Sequence, residues 1–415
     1  MKSPNRVTVA GRDHYALVVA GVAIVASLTM VFGAFRLQRL VDNGGDPYHY
    51  GAIAHGFVEH GFTTLTRRAA SLYPESIAVV YRLGGTDRTV VLLQCLLHAF
   101  TCLLVLSLGR RMFNARTGLL AGLFCAVHPM LIRYVADLHM ETFLTCLCML
   151  TVWWAVRFYE RPTIANGIAF GAIGMIATLT KGVIFPFVVL FGVISGLMAL
   201  QKRSSHMVVA VVAMFVTMGL VLAPWTYRNY RVTGGRFVLI APGASDSFLR
   251  GYVFTRLEFA TLQKPPYTDA ENEVNAWFRQ IARDAGTEWE RDETVDEANN
   301  SRVAKELIRT RPGDTLRKIV VGLFTFWYEM TSLINSLVPA TLAAAGWAFA
   351  AVGLKRAHRE GRPTWLLWLP ILVMNVFVAI LIPLGRYSVP VIPCLMILAA
   401  YGVDTVLARR TASRI

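Results

Sequence analysis

The sequence of 415 residues predicts an all-α polytopic membrane protein with about ten transmembrane helices. Hydrophobic residues make up 55% of the chain and charged residues only 16%, whereas a soluble domain carries roughly 25% charged residues. The apolar residues also come in long runs, and about 20 such residues in a helix cross a hydrocarbon core of about 30 Å. Strands or open loops cannot replace these helices, because their backbone groups would find no hydrogen-bond partners in lipid.

Ten apolar runs along the chain are long enough to span a membrane, and each is predicted to be one helix. They cover residues 14–35, 89–108, 117–135, 141–157, 164–181, 183–201, 206–224, 336–354, 364–383 and 388–407. The third and fourth runs nearly touch. Asp137 and Glu141 must therefore lie in a very short turn at one membrane face.

The lysines and arginines of the short connections fall on one side of this predicted bundle. Examples are Arg110 and Arg111 after the second run, and Arg409 and Arg410 after the last. The positive-inside rule therefore predicts a multi-pass protein of the inner, cytoplasmic membrane with both termini in the cytoplasm. The net charge of +15 follows from this topology. No basic stripe with interleaved aromatic residues is present, so no nucleic-acid partner is predicted.

Two long connections, 36–88 and 225–335, then lie on the periplasmic or exterior side of the membrane. They divide the chain into three predicted parts. Residues 1–224 form an N-terminal transmembrane catalytic module that includes the first outer loop. An extracytoplasmic helical loop follows at 225–335, and C-terminal transmembrane helices occupy 336–415.

Both outer loops are predicted to contain helices. In the first loop, apolar residues at helical spacing after Pro47 and again around Ile77 indicate two amphipathic helices at the membrane surface. In the second loop, Thr268 and Glu271 form a capping-box pattern, and another helix is expected from about 292 to 309. This loop is therefore expected to form a small helical cap on the outer face.

Ionisable residues gather at the outer ends of the predicted helices, where the site is expected. They are Asp46, Asp137, Glu141, Lys181, Arg228 and Arg386. Because a charge at membrane depth costs free energy, such residues are functional candidates. Carboxylates facing several cations predict a site for a phosphate-bearing lipid. A carboxylate would deprotonate an incoming hydroxyl, while lysine and arginine would stabilise the leaving phosphate.

Four of these residues also have a simpler structural interpretation. Asp46 could cap the helix that follows it, and Glu141 could be an acid favoured by the dipole at a helix N-terminus. Lys181 and Arg386 could be anchors whose charged ends reach the membrane interface. Asp42, Asp46 and Glu141 could offer oxygen ligands to a divalent metal, but the sequence has no dedicated ligand motif. No cofactor is therefore predicted.

Six pieces of the sequence carry a resemblance to a known family. They are GDPYHYGAIAHGFVEHGF, LYP, the stretch from LLQCLLHAF to DLHMETF, ATLTKGVIFPF, APWTYRNYRVTGGRFVLI and GRYSVPVIPCLMILAAYG. In this order they resemble the bacterial dolichyl-phosphate-mannose-protein mannosyltransferase-like glycosyltransferases of the GT-C superfamily, which are related to the lipid A aminoarabinose transferases. The resemblance extends from about Asp42 to Val403 and is weakest between 245 and 335.

The resemblance implies roles for two acidic residues. Asp46 matches an acid that family members use in catalysis, as a base or as the group that orients the acceptor. Glu141 matches the acid that opens the fourth helix. This chain departs from the family around His139, so it stays open whether Glu141 or Asp137 points into the site.

The resemblance also implies a donor phosphate site, because recurrent cations of the family fall on Lys181, Arg228 and Arg386. Further candidates for acceptor or sugar contacts are Tyr48, Tyr50, Asp137 and Arg67. The family often shows a Pro-Gly-Tyr-Pro-like sequence where this chain has SLYP. Acceptor recognition is therefore expected to differ.

These observations lead to a functional hypothesis with two alternatives. The hypothesis is an inverting glycosyltransferase that passes a hexose or pentose from a polyprenyl-phosphate donor to a lipid, glycan or protein acceptor on the extracytoplasmic side. A lipid-linked glycan transporter or flippase would instead show an internal repeat and charges near the bilayer midplane. An O-antigen-ligase-type enzyme would use a diphosphate-linked glycan and an outer-loop histidine, for which His49, His55 and His60 are candidates.

Overall fold

The computed structural model describes residues 10–36, 46–61, 72–241, 243–261 and 266–412, and all regular elements in these residues are helices. The first ten are α1 (Ala10–Arg36), α2 (Asp46–His60), α3 (Leu72–Arg82), α4 (Asp87–Met112), α5 (Ala115–Ala126), α6 (Pro129–Arg133), α7 (Glu141–Glu160), α8 (Ile164–Thr180), α9 (Phe185–Gln201) and α10 (Ser205–Val232). The others are α11 (Ala244–Phe254), α12 (Leu257–Ala260), α13 (Pro266–Asp284), α14 (Glu293–Thr310), α15 (Pro312–Thr325), α16 (Leu333–Arg359), α17 (Trp365–Ile380) and α18 (Ile392–Ala412). Short 3₁₀ helices lie at Tyr134–Ala136, Gly182–Ile184 and Gly385–Val391.

Several of these helices are suited to the membrane interior. Seven in the described part of the chain are long and apolar enough to cross a bilayer, and an eighth span results if α5 and the bent segment after it count together. Helices α8 and α17 are also apolar but have only 17 and 16 residues. The chain is therefore an all-α, multi-pass membrane protein, as the sequence predicts. The count of ten spans stays a prediction.

The third predicted run, 117–135, is not one straight helix. Helix α5 ends at Ala126, and the chain bends by 46° before the segment that begins at Pro129. His128, which precedes the proline, has an extended backbone. Proline has no amide hydrogen and disfavours the helical conformation in the residue before it, so Pro129 breaks the run.

The seventh predicted run, 206–224, ends too early. Helix α10 continues through Pro224 to Val232, so the helix extends beyond the predicted run. The additional turns carry Trp225, Thr226 and Asn229. Their side chains donate hydrogen bonds to backbone carbonyls of the segment that follows, and these bonds extend the ordered structure beyond the apolar run.

The two predicted surface helices of the first loop are present as α2 and α3, packed against each other. Tyr50 and Phe57 of α2 belong to the same buried cluster as Tyr73 and Ile77 of α3. Arg82 at the end of α3 donates a hydrogen bond of 2.9 Å to the carbonyl of Phe57. These contacts position the beginning of α2, where Asp46 lies.

The second outer loop forms the predicted helical cap. Its two predicted helices are α13 and α14, and the structure adds α11, α12 and α15. Phe248, Val274 and Phe278 lie in the buried cluster that joins α11 and α13. Arg250 of α11 forms ion pairs with Asp246 and with Glu271 of α13, so charge as well as apolar packing holds the cap together.

The helix bundle has two chemically different ends. Helix α7 contains 20 residues, which span about 30 Å. It begins at Glu141 and ends at Glu160, which pairs with Arg111. Near this second end Arg356 lies 3.5 Å from Asp404. The arginine-rich end therefore lies about one membrane thickness from the end that carries Glu141, α2, α3 and the cap.

Candidate active site

Asp46 and Arg386 form one of two ion pairs that define the candidate site. Asp46 is the first residue of α2, and Arg386 lies in the 3₁₀ helix before α18. Arg386 Nη1 lies 2.7 Å from Asp46 Oδ2, although 340 residues separate them in the sequence. Both side chains keep about a fifth of their surface exposed, so a ligand can reach them.

Glu141 and Lys181 form the second pair. Glu141 begins α7, and Lys181 directly follows the last residue of α8. Lys181 Nζ lies 3.7 Å from Glu141 Oε1, and the glutamate side chain is only 3% exposed. Within the described residues the second carboxylate oxygen, Oε2, is buried without a hydrogen-bond partner. The carboxylate therefore depends on Lys181 for compensation of its charge.

Tyr387 connects the two pairs. Lys181 Nζ lies 3.9 Å from the centre of the Tyr387 ring, and the guanidinium carbon of Arg386 lies 5.1 Å from it. Arg386 Nη2 also donates a hydrogen bond of 3.2 Å to the Tyr387 hydroxyl. Both cations therefore share one aromatic ring. Sequence reasoning did not select Tyr387, and its only signal was its position next to Arg386 in GRY.

The charges of the site carboxylates act on two buried tyrosines. Burial raises the pKa of Tyr50 well above its ordinary value, and the charges of Asp46 and then Glu141 raise it further. Burial also raises the pKa of Tyr73, with Glu141 as the next contribution. Both acids therefore influence Tyr50. It was among the predicted acceptor or sugar contacts, which stays a prediction, and its side chain is buried.

The structure distinguishes Glu141 from Asp137, which the sequence left open. Asp137 Oδ2 lies 3.1 Å from His139 Nδ1, and its other oxygen accepts the amide hydrogen of Leu138 at 2.8 Å. Its side chain is 32% exposed, against 3% for that of Glu141. Glu141, and not Asp137, contacts Lys181.

Arg228 lies apart from the two pairs. Its guanidinium carbon is 5.2 Å from the centre of the Trp225 ring, and its nearest carboxylate influence is Glu75 of α3. Burial raises the pKa of Glu75 to about 7, and the positive charge of Arg228 opposes this increase. Arg228 therefore belongs to the same end of the bundle but not to the cluster around Tyr387.

The remaining predicted residues contribute less to this cluster. Tyr48 is 61% exposed on α2, with its ring against His49. Arg67 and Asp42 lie outside the described residues. Within the part of the chain that the structure describes, no three histidine, cysteine, aspartate or glutamate side chains are close enough to hold a metal ion.

Gly385 fixes the position of Arg386. Its amide donates a hydrogen bond of 2.7 Å to the carbonyl of Glu329, in the segment between α15 and α16. A Cβ at this position would lie 2.9 Å from that same carbonyl oxygen, so only glycine permits the close approach. Segments from 1–224 and from 336–415 therefore meet at the site, and the loop between α15 and α16 supports it.

A cavity of about 720 Å³ adjoins Lys181 and Tyr387. Lys181 and Tyr387 line it together with apolar residues in and just after α17, among them Phe377 and Leu381. The lining also includes the irregular segment Arg236–Ala241, which we call the strap. The cavity therefore joins a charged centre to an apolar channel wall.

Side chains of α10 hold the strap in place. The indole of Trp225 donates a hydrogen bond of 2.9 Å to the carbonyl of Ile240. The amide of Asn229 donates to the carbonyls of Val238 and Ile240, both at 3.0 Å. The motif PWTYRNY therefore builds one wall of the cavity, a role that the sequence alone did not indicate.

Comparisons with known proteins agree with this architecture. Residues 72–225 match the profile of the family described as dolichyl-phosphate-mannose-protein mannosyltransferase. The structure resembles the archaeal oligosaccharyltransferase AglB from Archaeoglobus fulgidus, solved in complex with an inhibitory peptide and a dolichol-phosphate. The TM-score is 0.55 and the identity 14%, and the match covers 97% of this chain and 52% of that one. The structure of the Archaeoglobus fulgidus enzyme tethered with an acceptor peptide containing the NVT sequon is similar to the same degree. Its TM-score is 0.55 and its identity 15%, and the match covers 95% of this chain and 50% of that one.

A weaker similarity, with a TM-score of 0.41, is found with ArnT from Cupriavidus metallidurans bound to undecaprenyl phosphate, at 16% identity over 95% of this chain and 78% of that one. No curated protein matches the sequence. This chain spans about half the length of AglB, and at 14% identity their similarity concerns the fold. The family match and the shared fold agree with the predicted resemblance: residues 72–225 are similar in sequence to the dolichyl-phosphate-mannose-protein mannosyltransferases, and the chain shares its fold with AglB.

Proposed function

We propose that this protein is an inverting glycosyltransferase that takes a sugar from a polyprenyl-phosphate donor. The observation that carries the proposal is the meeting of two carboxylate–cation pairs at Tyr387, beside a cavity of about 720 Å³. A lipid-linked sugar needs this combination, because its phosphate is anionic and its tail is apolar. The resemblance of residues 72–225 to mannosyltransferases and the fold of AglB, solved with a dolichol-phosphate, support it.

The donor phosphate binds between Lys181 and Arg386 in this proposal. Both are cations within reach of one aromatic ring, and charge-assisted hydrogen bonds to phosphate oxygens are roughly twice as strong as neutral ones. The polyprenyl tail follows the apolar wall of the cavity at Phe377 and Leu381. Arg228 adds positive potential at the same end of the bundle without contacting the phosphate.

Asp46 acts as the base in a single displacement. The acceptor hydroxyl oxygen attacks the anomeric carbon, and its proton passes to the Asp46 carboxylate. The bond from the anomeric carbon to the phosphate oxygen breaks, and polyprenyl phosphate leaves with the electron pair, stabilised by Lys181 and Arg386. Because attack and departure occur on opposite faces of the sugar, the configuration at the anomeric carbon inverts.

The ion pair with Arg386 links the Asp46 carboxylate to binding of the donor. Arg386 Nη1 lies 2.7 Å from Asp46 Oδ2, so the guanidinium can contact both the carboxylate and a phosphate bound beside it. In this proposal the donor phosphate attracts the guanidinium, and the Asp46 carboxylate is then free to accept the proton of the acceptor hydroxyl. Glu141 holds Lys181 in the corresponding position on the other side of Tyr387.

The site faces the periplasm or exterior in this proposal, and both termini lie in the cytoplasm. The support is the separation of the two ends of the bundle. Glu141 and Glu160 are at opposite ends of α7, and the short connections rich in lysine and arginine lie with Glu160. Such connections stay on the cytoplasmic side of the inner membrane.

Transfer by the purified protein tests this function. The protein, reconstituted in lipid, is incubated with radiolabelled polyprenyl-phosphate sugars and with membranes as a source of lipid, glycan and protein acceptors. We expect transfer with inversion at the anomeric carbon. We expect Asp46→Asn to lose about 10²–10⁴-fold in rate, the usual contribution of a general base. Glu59→Gln, an exposed acid on the same helix α2, is the control and keeps full activity. Full activity of Asp46→Asn would remove the base assignment, and retention of configuration would remove the single displacement.

A further inference from the structure

Helix α15 presents an unpartnered apolar stripe that the proposed function does not use. Leu316, Val320 and Phe324 are spaced four residues apart, so they lie on one face of the helix. They are 63%, 46% and 64% exposed. Large apolar side chains in such a row are unusual on a surface that faces water.

The opposite face of α15 is joined to the end of a membrane helix. Lys318 is fully buried, and its ammonium group donates hydrogen bonds to the carbonyls of Ala379, Ile380 and Leu381, which terminate α17. These carbonyls have no partner within their own helix, so Lys318 replaces the solvent that they would otherwise need. Gly322, one turn further, lies so close to Ala379 that a Cβ would be 3.1 Å from its Cα.

The depth of this junction follows from the length of α17. Its 16 residues extend about 24 Å, which is less than a hydrocarbon core of about 30 Å. Helix α17 begins at Trp365, just after Arg362 of the arginine-rich end. A helix of this length that begins at one membrane interface ends before it reaches the other, and the second half of α15 lies beside that end.

The distribution of charge on α15 agrees with this depth. Arg311 and Asp314 are exposed at its first turn. After Lys318 the exposed residues of the helix are apolar, Val320 and Phe324. The helix is thus polar where it leaves the cap and apolar where it meets α17.

The apolar surface also continues onto the next membrane helix. Helix α16 begins at Leu333, and Ile334 and Leu337 in its first turns are 76% and 50% exposed. Since α16 is long and apolar enough to cross the membrane, we expect these exposed side chains to face lipid. The stripe on α15 extends that lipid-facing surface.

We propose that α15 enters the outer leaflet with its second half and contacts lipid acyl chains through Val320 and Phe324. Helix α15 thereby fills the part of the outer leaflet that the short helix α17 does not reach. Lys318 donates hydrogen bonds to the backbone carbonyls at the junction of the two helices. The immersed end of α15 leads directly into the segment whose Glu329 carbonyl holds Gly385 beside Arg386. The bilayer therefore supports the position of Arg386 through α15. This inference does not depend on the sugar-transfer proposal.

Spin labels on single introduced cysteines test this depth in the full-length protein reconstituted in lipid vesicles. The variants are Val320→Cys and Phe324→Cys, with Asp314→Cys as the control on the polar turn of α15 and Leu337→Cys on α16 as the lipid reference. The native cysteines that the structure describes are buried, and the unmodified protein gives the background of labelling. Collision with molecular oxygen, which concentrates in lipid, is compared with collision with a water-soluble nickel complex.

We expect labels at 320 and 324 to match the label at 337, with oxygen collisions in excess, and the label at 314 to collide mainly with nickel. Nickel access at 320 and 324 equal to that at 314 would place the stripe in water and overturn the proposal. Strong spin–spin broadening at 324 would instead show that a second copy covers the stripe, and this would overturn it too. A monodisperse elution profile of each variant confirms that the labelled protein is folded.

Discussion

The charges of the candidate site cancel each other at the level of single residues. Asp46 and Glu141 are matched by Arg386 and Lys181, so the cluster carries no net formal charge before a ligand enters. Unpaired charges near the membrane interior would be far more costly. In the same arrangement Lys181 and Arg386 can exchange a carboxylate partner for a phosphate without further loss of water from the site.

Glu75 makes a residue-scale prediction about pH. Burial raises the pKa of its carboxyl from an ordinary value of 4.5 to about 7, with Arg228 acting in the opposite direction. The folded protein then binds this proton more tightly than the unfolded chain does. The contribution to stability is fully present below pH 4.5 and is lost as pH rises through about 7.

The variant Glu75→Gln cannot titrate, so this part of the pH dependence should disappear. We expect the melting temperature at pH 8, taken relative to that at pH 5, to be higher in Glu75→Gln than in the unmodified protein. Thermal unfolding in detergent, followed by tryptophan fluorescence, measures both proteins, and Glu59→Gln serves as the exposed-acid control. An identical pH dependence in all three proteins would contradict the buried state of Glu75.

The candidate residues were predictable, but their partners were not. Charged side chains at the ends of apolar runs indicated Asp46, Glu141, Lys181 and Arg386, because charge at that depth is costly. No local pattern connects Asp46 with Arg386, which are 340 residues apart. Tyr387 gave no such signal, since an aromatic residue at a membrane interface is ordinary.

At the scale of elements, close backbone contact holds the C-terminal helices together. Gly353 of α16 and Gly402 of α18 face each other, and a Cβ at Gly402 would overlap the carbonyl oxygen of Phe349. Small residues permit such close packing between membrane helices, where apolar burial from water gives little driving force. Helix α18 follows the segment that carries Arg386, so this contact also supports the site.

Substitution of Gly402 tests the importance of this contact. We expect Gly402→Leu to separate α16 from α18 and to destabilise the protein by about 1–3 kcal/mol or more, as overpacking of a tight interface does. Gly219→Leu in the membrane helix α10 is the matched control, because a Cβ there meets nothing within 4 Å. Melting temperatures in detergent compare the two variants. Equal stability of Gly402→Leu and the control would show that the interface tolerates separation.

The sequence predicted most membrane elements because their signal is local. Apolar runs correspond directly to α1, α4 and α7, and the apolar periodicity of the first loop identified α2 and α3. Pro129 is a helix breaker that the sequence shows, but the run 117–135 is so apolar that its hydropathy alone predicts one continuous helix. The strap was not predictable, since it is held by side chains of α10 that an apolar run does not reveal.

At the scale of the whole molecule, the division into three parts does not isolate the site. The site combines Asp46, Glu141 and Lys181 from the first part with Arg386 and Tyr387 from the last. The loop between the two parts contributes the strap to the cavity and the Glu329 carbonyl to the position of Gly385. A pattern along the chain cannot predict such a site, because it depends on how distant helices pack.

The most direct test of the central claim is the affinity of the purified protein for radiolabelled polyprenyl phosphate. The claim is that both ion pairs form one phosphate site. Each test variant therefore replaces the acid and the cation of one pair together, so that neither charge is left buried without its partner. The variants are Asp46→Asn with Arg386→Met, and Glu141→Gln with Lys181→Met. Arg231→Met is the control, since Arg231 is exposed near the outer end of α10.

A hydrogen bond to a charged group contributes about 1.5–3 kcal/mol, and about 1.4 kcal/mol corresponds to a tenfold change in affinity. We therefore predict that each double variant binds polyprenyl phosphate at least about tenfold more weakly, while Arg231→Met binds like the unmodified protein. Unchanged binding by either double variant would contradict a single site shared by the two pairs.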